Sequence, residues 1–598
     1  MADDQGSARI TTSVTPNDPT HLSDSLSISN DSFTIPSFNI DNIKLENAED
    51  PRNWSPARKW STTAIISLMG FISPLGSSVV VPGAPLMDRF FSLHSRELSL
   101  LPVSFFVLGL GVGPFLLAPA SELKGRHPIF LVSCFIFVLF NIGTAFSSNY
   151  AALNFLRFLA GAAGSTGPSL GAGSIGDMFA PKERGRAQSL YGLGPLLGPV
   201  CGAIAGGWLV QSINSWRWLL WFLTILSAVI AIIVTLFLKE TFAPVLLRKK
   251  IQRLAKEHLR SIENLQPTAI QHVDQLEQHR RTLLKRFIAI FLPSPELRKR
   301  TRLAMSRPFR LLFGNPICAI FSLYMGFIYG IIFLFLTQHP LLFQRHDLDE
   351  DPASRNLPSY GFSPGLASLT YLGLGLGFLV AASVNVLLQD SIYARLVLNR
   401  GRIGWVLFKD REEIVRRAQR RQMEEESNAE KNDEHSTIDV EGQRPALVEG
   451  NFTHDQSATS NQTDGRPEFR LPLCLVGMII LPLGLFVFGW TATAKTHFML
   501  PLLGSFLVGV GSILPFQAIL VYLVDAFIPF SASATACAVL VRCILAAVFP
   551  LFSEKMFVAL GFGWGSTLLA LVSMLAIPVP IILFWRGEQL RERFKFKG

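Results

Sequence analysis

Apolar residues along this chain fall in blocks, with neither the 3.6-residue period of a soluble amphipathic helix nor the alternation of a half-buried strand. Twelve blocks are about 20 residues long, enough to cross a hydrocarbon core of about 30 Å at 1.5 Å per residue. They cover approximately 60–82, 99–119, 128–147, 151–175, 187–211, 217–238, 315–338, 362–386, 471–491, 497–522, 531–553 and 564–585. The pattern predicts an all-α membrane protein with twelve spans, six on each side of the polar segment 239–314. An even number of crossings puts both termini on one side. The predicted division is a disordered tail at 1–50, a first six-helix unit at 51–238 and a basic central loop at 239–314. A second six-helix unit follows at 315–386 and 471–585, interrupted by a polar insertion at 387–470, with a tail at 586–598.

Charge then sets the orientation. Of 598 residues, 49% are hydrophobic and only 16% charged, and mean hydropathy is +0.35; a soluble chain carries about 25% charge. The central segment 239–314 holds 17 Lys and Arg against 6 Asp and Glu. Short links on its side carry Lys124 and Arg126, then Lys182, Arg184 and Arg186, whereas links 147–150 and 212–216 carry no charge until Arg217. The positive-inside rule therefore places the central loop and both tails in the cytoplasm. The net charge of +10 reflects these loops, so a nucleic-acid partner is not expected. The insertion 387–470, with 13 basic and 16 acidic residues, falls on the same side, so its sequons at Asn451 and Asn461 are not expected to carry sugar. Its run REEIVRRAQRRQMEEE reads as a solvated helix. No positively charged start with an apolar stretch marks residues 1–50 as a cleavable signal. The six cysteines lie singly within apolar blocks, with neither disulfide nor metal spacing.

The link between spans 2 and 3 reads LAPASELKGRHPIF, Leu117 to Phe130. A turn this short needs the backbone freedom of Gly125, and Pro128 suits the first turn of the next helix. Glu122 stands at a helix C-terminus, where the macrodipole disfavours a carboxylate, and Arg126 is its nearest cationic partner. Two readings fit: an ordinary positive-inside loop, or a charged latch between helices. In span 5, Gly194, Gly198, Gly202 and Gly206 recur every four residues and form a groove on nearly one face, while Pro195 and Pro199 remove backbone donors. This serves plain helix packing, control of packing between the two halves, or both; Gly198→Leu is expected to abolish transport while protein still reaches the membrane. Arg157 in span 4 and Arg542 in span 11 sit at membrane depth, where an arginine costs at least ~2.5–3.5 kcal/mol, so each faces a cavity or partner unless it snorkels. Arg157, in the outer part of its span, is the one placed to snorkel outward. No Asp or Glu lies deep in any span; the nearest are Glu122, Asp177 and Asp525 at cytoplasmic ends, with Asp525 a candidate partner for Arg126 across the halves. His339 stands at the outer end of span 7.

Glu122, Gly125 and Arg126 resemble the acid, glycine and arginine of the loop 2–3 signature Gly-x-Leu-x-Asp-Arg-x-Gly-Arg-Lys of the major facilitator superfamily. The chain departs from that signature at Ala118, Leu123 and His127. DPRNWSPARKW (50–60) is similar to the segment ahead of span 1 in the fungal twelve-helix drug:proton antiporter branch. LNFLRFLAGAAG (153–164) resembles its helix 4 motif, with Arg157 and Gly161 in place and Ala160 where glutamine is usual. IGDMFAPKERGRAQSLYGLGPLLGPVCGAIAGGWL (175–209) resembles its loop 4–5 and helix 5 antiporter motif. The resemblance runs over roughly 50–590.

It implies two six-helix bundles around a central cavity, alternating access, and export of small organic molecules (xenobiotics, fungicides or secondary metabolites) by proton antiport. The proton gradient is the energy source, with no cofactor or metal. The expected setting is the plasma membrane, with the vacuolar membrane as the alternative, and the expected state is a monomer. Under the family plan Gln188, Tyr191, Tyr324, Tyr329, Tyr371, Phe516 and Gln517 are candidates for lining the cavity. Those residues and a total of 47 Phe suit bulky apolar or cationic compounds. Alternatives are a polyamine or other endogenous-solute carrier, which the shortage of acidic groups argues against, and a transporter-like sensor signalling through 387–470. An enzyme is not expected: neither GxxxxGK[ST] nor HExxH occurs, and a GxSxG nucleophile elbow is not expected either.

Overall fold

The computed structural model of the chain describes residues 45, 49–93, 96–179, 181–264, 306–344, 357–398, 466–527 and 530–594. The expectations for the first 44 residues, the run REEIVRRAQRRQMEEE, Asn451, Asn461 and the last four residues lie outside the described residues.

The first half contains α1 (Pro56–Ser78), the short α2 (Ala84–Phe91), α3 (Arg96–Lys124), α4 (Arg126–Phe146), α5 (Tyr150–Gly164), α6 (Thr166–Met178), α7 (Pro181–Ile213) and α8 (Trp216–Phe237). After α9 (Ala243–Asn264), the second half contains α10 (Pro316–Phe343), α11 (Pro364–Leu369), α12 (Tyr371–Leu398), α13 (Leu471–Thr493), α14 (Met499–Ala526), α15 (Ser531–Met574) and α16 (Pro578–Arg593). Among the described residues, ten helical stretches are long and apolar enough to cross a membrane. All twelve predicted spans are nonetheless helical. Span 4 is divided at Ser165 into α5 and α6, and spans 11 and 12 share α15, whose helical geometry breaks at Gly561 (φ 73°). The break in span 4 precedes Pro168, which has no N–H for the Gly164 carbonyl.

α1 packs on α7, α3 on α5, and α4 on α5 and α8; in the second half α13 packs on α14, α10 on α15, and α12 on α14. The halves meet where α3 runs against α15 and where α7 meets α11 and α12. The α7 contact is close: the Gly365 N–H donates to Gln211 Oε1 (2.8 Å) and Ser368 Oγ donates to the Ile204 carbonyl (3.3 Å). α10 also touches the turn Val81–Gly83 that follows α1. The outward surface of the bundles is apolar, as lipid requires, with Leu139, Phe155, Ile225, Leu236, Leu387 and Trp564 exposed.

Two boundaries differ from expectation. The segment 239–314 is more than a loop: Ala243–Asn264 is a basic helix with an i,i+4 pair, Arg253 Nε to Glu257 Oε1 at 2.9 Å. Its high charge hides it from a hydropathy reading, while Val245 buries itself beside Gly125. Span 8 continues well past 386, to Leu398, and Asp390 in the extension pairs with Arg470 at 2.6 Å.

Candidate substrate cavity and charged linkages

A cavity of about 190 Å³ lies between the two halves. Five prolines line its first-half wall: Pro74 of α1, Pro114 of α3, Pro168 of α6, and Pro195 and Pro199 of α7. Each removes a helix donor, so this wall combines apolar rings with locally freed carbonyls, an arrangement stable at membrane depth only where it borders protein or a cavity. Ser165 and Ser169, at the break in span 4, also line it. Ser169 belongs to Gly167-Pro168-Ser169-Leu170-Gly171, which has the GxSxG spacing of a hydrolase nucleophile elbow. Here the run is helical and the Ser169 hydroxyl donates to the Ser165 carbonyl (2.7 Å), so the strand-to-helix turn of that motif is missing.

The second-half wall is aromatic and polar. Tyr329 and Phe516 stack at 6.2 Å with 24° between their planes. The Arg542 guanidinium lies 5.0 Å from the Tyr329 ring centre and 5.5 Å from that of Phe516. Arg542 Nε is buried without a hydrogen-bond partner. Among the described lining residues there is no carboxylate, and Arg542 is the one charged side chain. Of the seven candidates, Tyr191, Tyr329, Phe516 and Gln517 line the cavity. The other three lie elsewhere. Gln188 is exposed near the start of α7. Tyr324 is buried with its hydroxyl unpartnered. Tyr371 donates its hydroxyl to the Leu336 carbonyl (2.5 Å). Helix periodicity chooses a face, and at Tyr324 and Tyr371 the face belongs to neighbouring helices.

Arg157 does not snorkel. It is fully buried, with Nη2 donating to the Gly76 carbonyl (2.7 Å), Nε to the Pro102 carbonyl (3.2 Å), and the guanidinium 4.2 Å from the Phe106 ring centre. It thus ties α5 to α1 and α3 through backbone acceptors, beside Gly161, whose missing Cβ admits the Phe106 carbonyl. His339 is equally enclosed, stacked on Tyr371 (4.9 Å) and hydrogen bonded between the Phe335 carbonyl (2.9 Å) and Ser505 Oγ (3.3 Å). It does not line the cavity.

The charged link before α4 is built around a residue that sequence reasoning missed. Glu240, just past α8, accepts the backbone N–H groups of Arg126 (2.8 Å) and His127 (3.3 Å), two of the unsatisfied donors at the start of α4. It also accepts the N–H groups of Thr241 (3.1 Å) and Phe242 (3.0 Å). Gly125 has φ 102°, and any Cβ there would collide with the Glu240 carboxylate. The signal available was a lone Glu following a span, before Thr and Phe. Glu122 is exposed, and Arg126 turns instead to Asp177 (Nε–Oδ2 3.3 Å) and Ser121 Oγ (2.8 Å). The expected pairing of Arg126 with Asp525 is not present: Asp525 pairs with Arg470 (Nε–Oδ2 3.3 Å). The two linkages occupy equivalent places in the halves. Arg126 and Arg470 follow spans 2 and 8, and Asp177 and Asp525 are the penultimate residues of α6 and α14. A shared level in the membrane was readable from the sequence, but the partner is set by which helix stands beside it.

Of the two readings of the glycine row of α7, the contacts follow plain helix packing. A Cβ on Gly194 would lie 2.6 Å from the Ser67 carbonyl oxygen, and one on Gly198 2.7 Å from that of Phe71. Gly202 and Gly206 meet the carbonyls of Leu75 and Val79. The row therefore lies on a matching four-residue row of α1, within the same half. The contact between halves is made by other α7 residues, Val200 against Gly375 and Gly207 against Ser368, while Pro195 and Pro199 face the cavity.

Residues 66–407 match the sequence pattern of the Major Facilitator Superfamily. The chain is 33% identical over 554 residues to the efflux pump radE of Floropilus chiversii, covering 92% of this chain and 84% of that protein. It is 34% identical over 547 residues to the MFS transporter cpaT of Aspergillus oryzae, covering 92% and 90%. It is 32% identical over 552 residues to the MFS-type transporter penM of Penicillium rubens, covering 92% and 89%. Among solved structures, the proton:xylose symporter XylE bound to 6-bromo-6-deoxy-D-glucose superposes with a TM-score of 0.53 at 14% identity, over 91% of this chain and all of that one. That likeness concerns the fold alone. With its twelve helical spans, its two halves about a shared cavity and these relatives, the chain is a membrane transporter and belongs to the Major Facilitator Superfamily.

Proposed function

We propose that the protein exports small organic molecules, of the secondary-metabolite kind, by proton-driven alternating access, with both termini and the basic helix α9 in the cytoplasm. The observation that carries this reading is the cavity at the seam of the two halves, lined by prolines on one side and by Arg542, Gln517 and stacked aromatics on the other. A site at the interface of two repeats is where rocking of one half against the other exposes it to alternate sides. The relative named an efflux pump supports the outward direction. The close contact of α7 with α11 and α12 lies at the end of the molecule away from the charged linkages, which fits a cavity that opens toward the cytoplasm. The lack of a carboxylate among the described lining residues counts against a polyamine carrier.

The test is retention of a panel of fluorescent organic compounds by yeast cells stripped of their own drug pumps, with and without this protein. Export that a protonophore abolishes is expected for at least one compound. Export that persists without a proton gradient overturns the coupling, and protein-dependent accumulation overturns the direction.

A further inference from the structure

We infer that the cavity selects planar organic anions, such as carboxylates or enolates carried on an aromatic or conjugated ring, with Arg542 as the specificity-determining residue; this rests on the cavity being the transport site. Aromatic content alone pointed toward cations. The structure reverses that sign, because a cation of the protein already stands beside the stacked pair Tyr329 and Phe516. Arg542 stands over both Tyr329 and Phe516, at 5.0 and 5.5 Å from their centres. A second cation in the same space meets a like charge at short range in a low-dielectric setting. The described lining residues offer no carboxylate to offset it.

The same features suit an anion. Arg542 is held at membrane depth with Nε buried and unpartnered and with no acidic side chain of the described residues paired to it. Such a charge is costly until a counter-charge arrives. A planar carboxylate, or a 1,3-dicarbonyl enolate with its two oxygens, matches the guanidinium fork in two-point hydrogen bonding. Its ring then lies along the Tyr329–Phe516 stack. Gln517, also in the lining, supplies an amide that both donates and accepts, able to read a second oxygen of the ligand. The proline wall opposite is apolar and accepts the body of the molecule without demanding a particular shape.

The test is equilibrium binding to the purified full chain in lipid nanodiscs at neutral pH, with no gradient applied. Three matched probes are used: 2-naphthoate, uncharged 2-naphthylmethanol and 2-naphthylmethylammonium. The anion is expected to bind best and the cation worst. Arg542→Gln is expected to weaken naphthoate binding about 30-fold or more, to the level of the alcohol, as removal of one partner of a buried charge pair does. Arg542→Lys, which keeps the charge but loses the planar fork, is expected to fall between. Equal binding of anion and cation, preference for the cation, or no naphthoate binding up to about 1 mM overturns the assignment. Unaltered naphthoate binding in Arg542→Gln does so as well. Because binding is read without a gradient, failure of proton-driven export in cells leaves this result standing, and an unselective cavity leaves the export reading standing.

Discussion

Adding one methyl group at Gly198 tests the α1–α7 contact quantitatively. A Cβ there would stand 2.7 Å from the Phe71 carbonyl oxygen and 3.0 Å from the Leu75 nitrogen, whereas ordinary contact begins at 3.4 Å. The atoms in the way are backbone, so no rotamer change relieves the clash. α1 must withdraw by about 0.7 Å along a contact that is close-packed on both sides. Overpacking of this kind costs about 1–3 kcal/mol, partly offset by the ~0.5–1 kcal/mol that Ala gains over Gly inside a helix. Gly192, one turn and a half earlier on the same helix, has nothing within 4 Å of its would-be Cβ, so Gly192→Ala receives the helix gain alone. The two variants should therefore differ by about 1–3 kcal/mol in opposite directions from wild type. The assay is thermal unfolding of the purified protein in detergent, followed by tryptophan fluorescence. Gly198→Ala should melt below wild type and Gly192→Ala at or above it, with Gly198→Leu lower still. Because Pro74 of α1 and Pro195 and Pro199 of α7 line the cavity, Gly198→Leu should also lose transport while some protein reaches the membrane. Equal melting temperatures for Gly198→Ala and Gly192→Ala would refute the packing argument.

Three further variants address the buried polar connections. Arg157→Leu removes two charge-assisted hydrogen bonds to carbonyls, worth about 1.5–3 kcal/mol each, and is expected to reduce folded protein sharply; normal yield and melting temperature would contradict this role. Glu240→Ala strips the start of α4 of its acceptor and should cost about 0.5–2 kcal/mol, as loss of a helix cap does. Gly125→Ala should be at least as harmful, because it forces a positive φ on an L side chain and displaces the same carboxylate. A stability ranking that places Gly125→Ala above Glu240→Ala would count against the coupling of these two residues.

The spans were readable because lipid leaves the chain few choices: a helix of about 20 apolar residues satisfies its own backbone, and the hydropathy pattern records it directly. The need for Gly125 in the tight turn was equally readable, since φ 102° is a property of the local backbone. Partners were not. Glu240 acts on a turn 114 residues away, and Arg126 and Asp525 share a level but stand on different helix pairs. The glycine row announced a close helix contact, but nothing in one helix says which neighbour fills the groove. Arg157 looked free to reach outward because its depth was known and its rotation about the helix was not. α9 escaped notice because a charged amphipathic helix and a polar loop have similar composition.

Alternation of access at the cavity can be measured by side-specific labelling without knowing the substrate. Gln517→Cys, placed in a chain whose six native cysteines are replaced, would be reacted with a membrane-impermeant thiol reagent from either face of sealed vesicles. Alternating access should give labelling from both faces, with the two rates shifting in opposite directions when a pH gradient is imposed. Labelling from one face only, at a rate indifferent to the gradient, would contradict it.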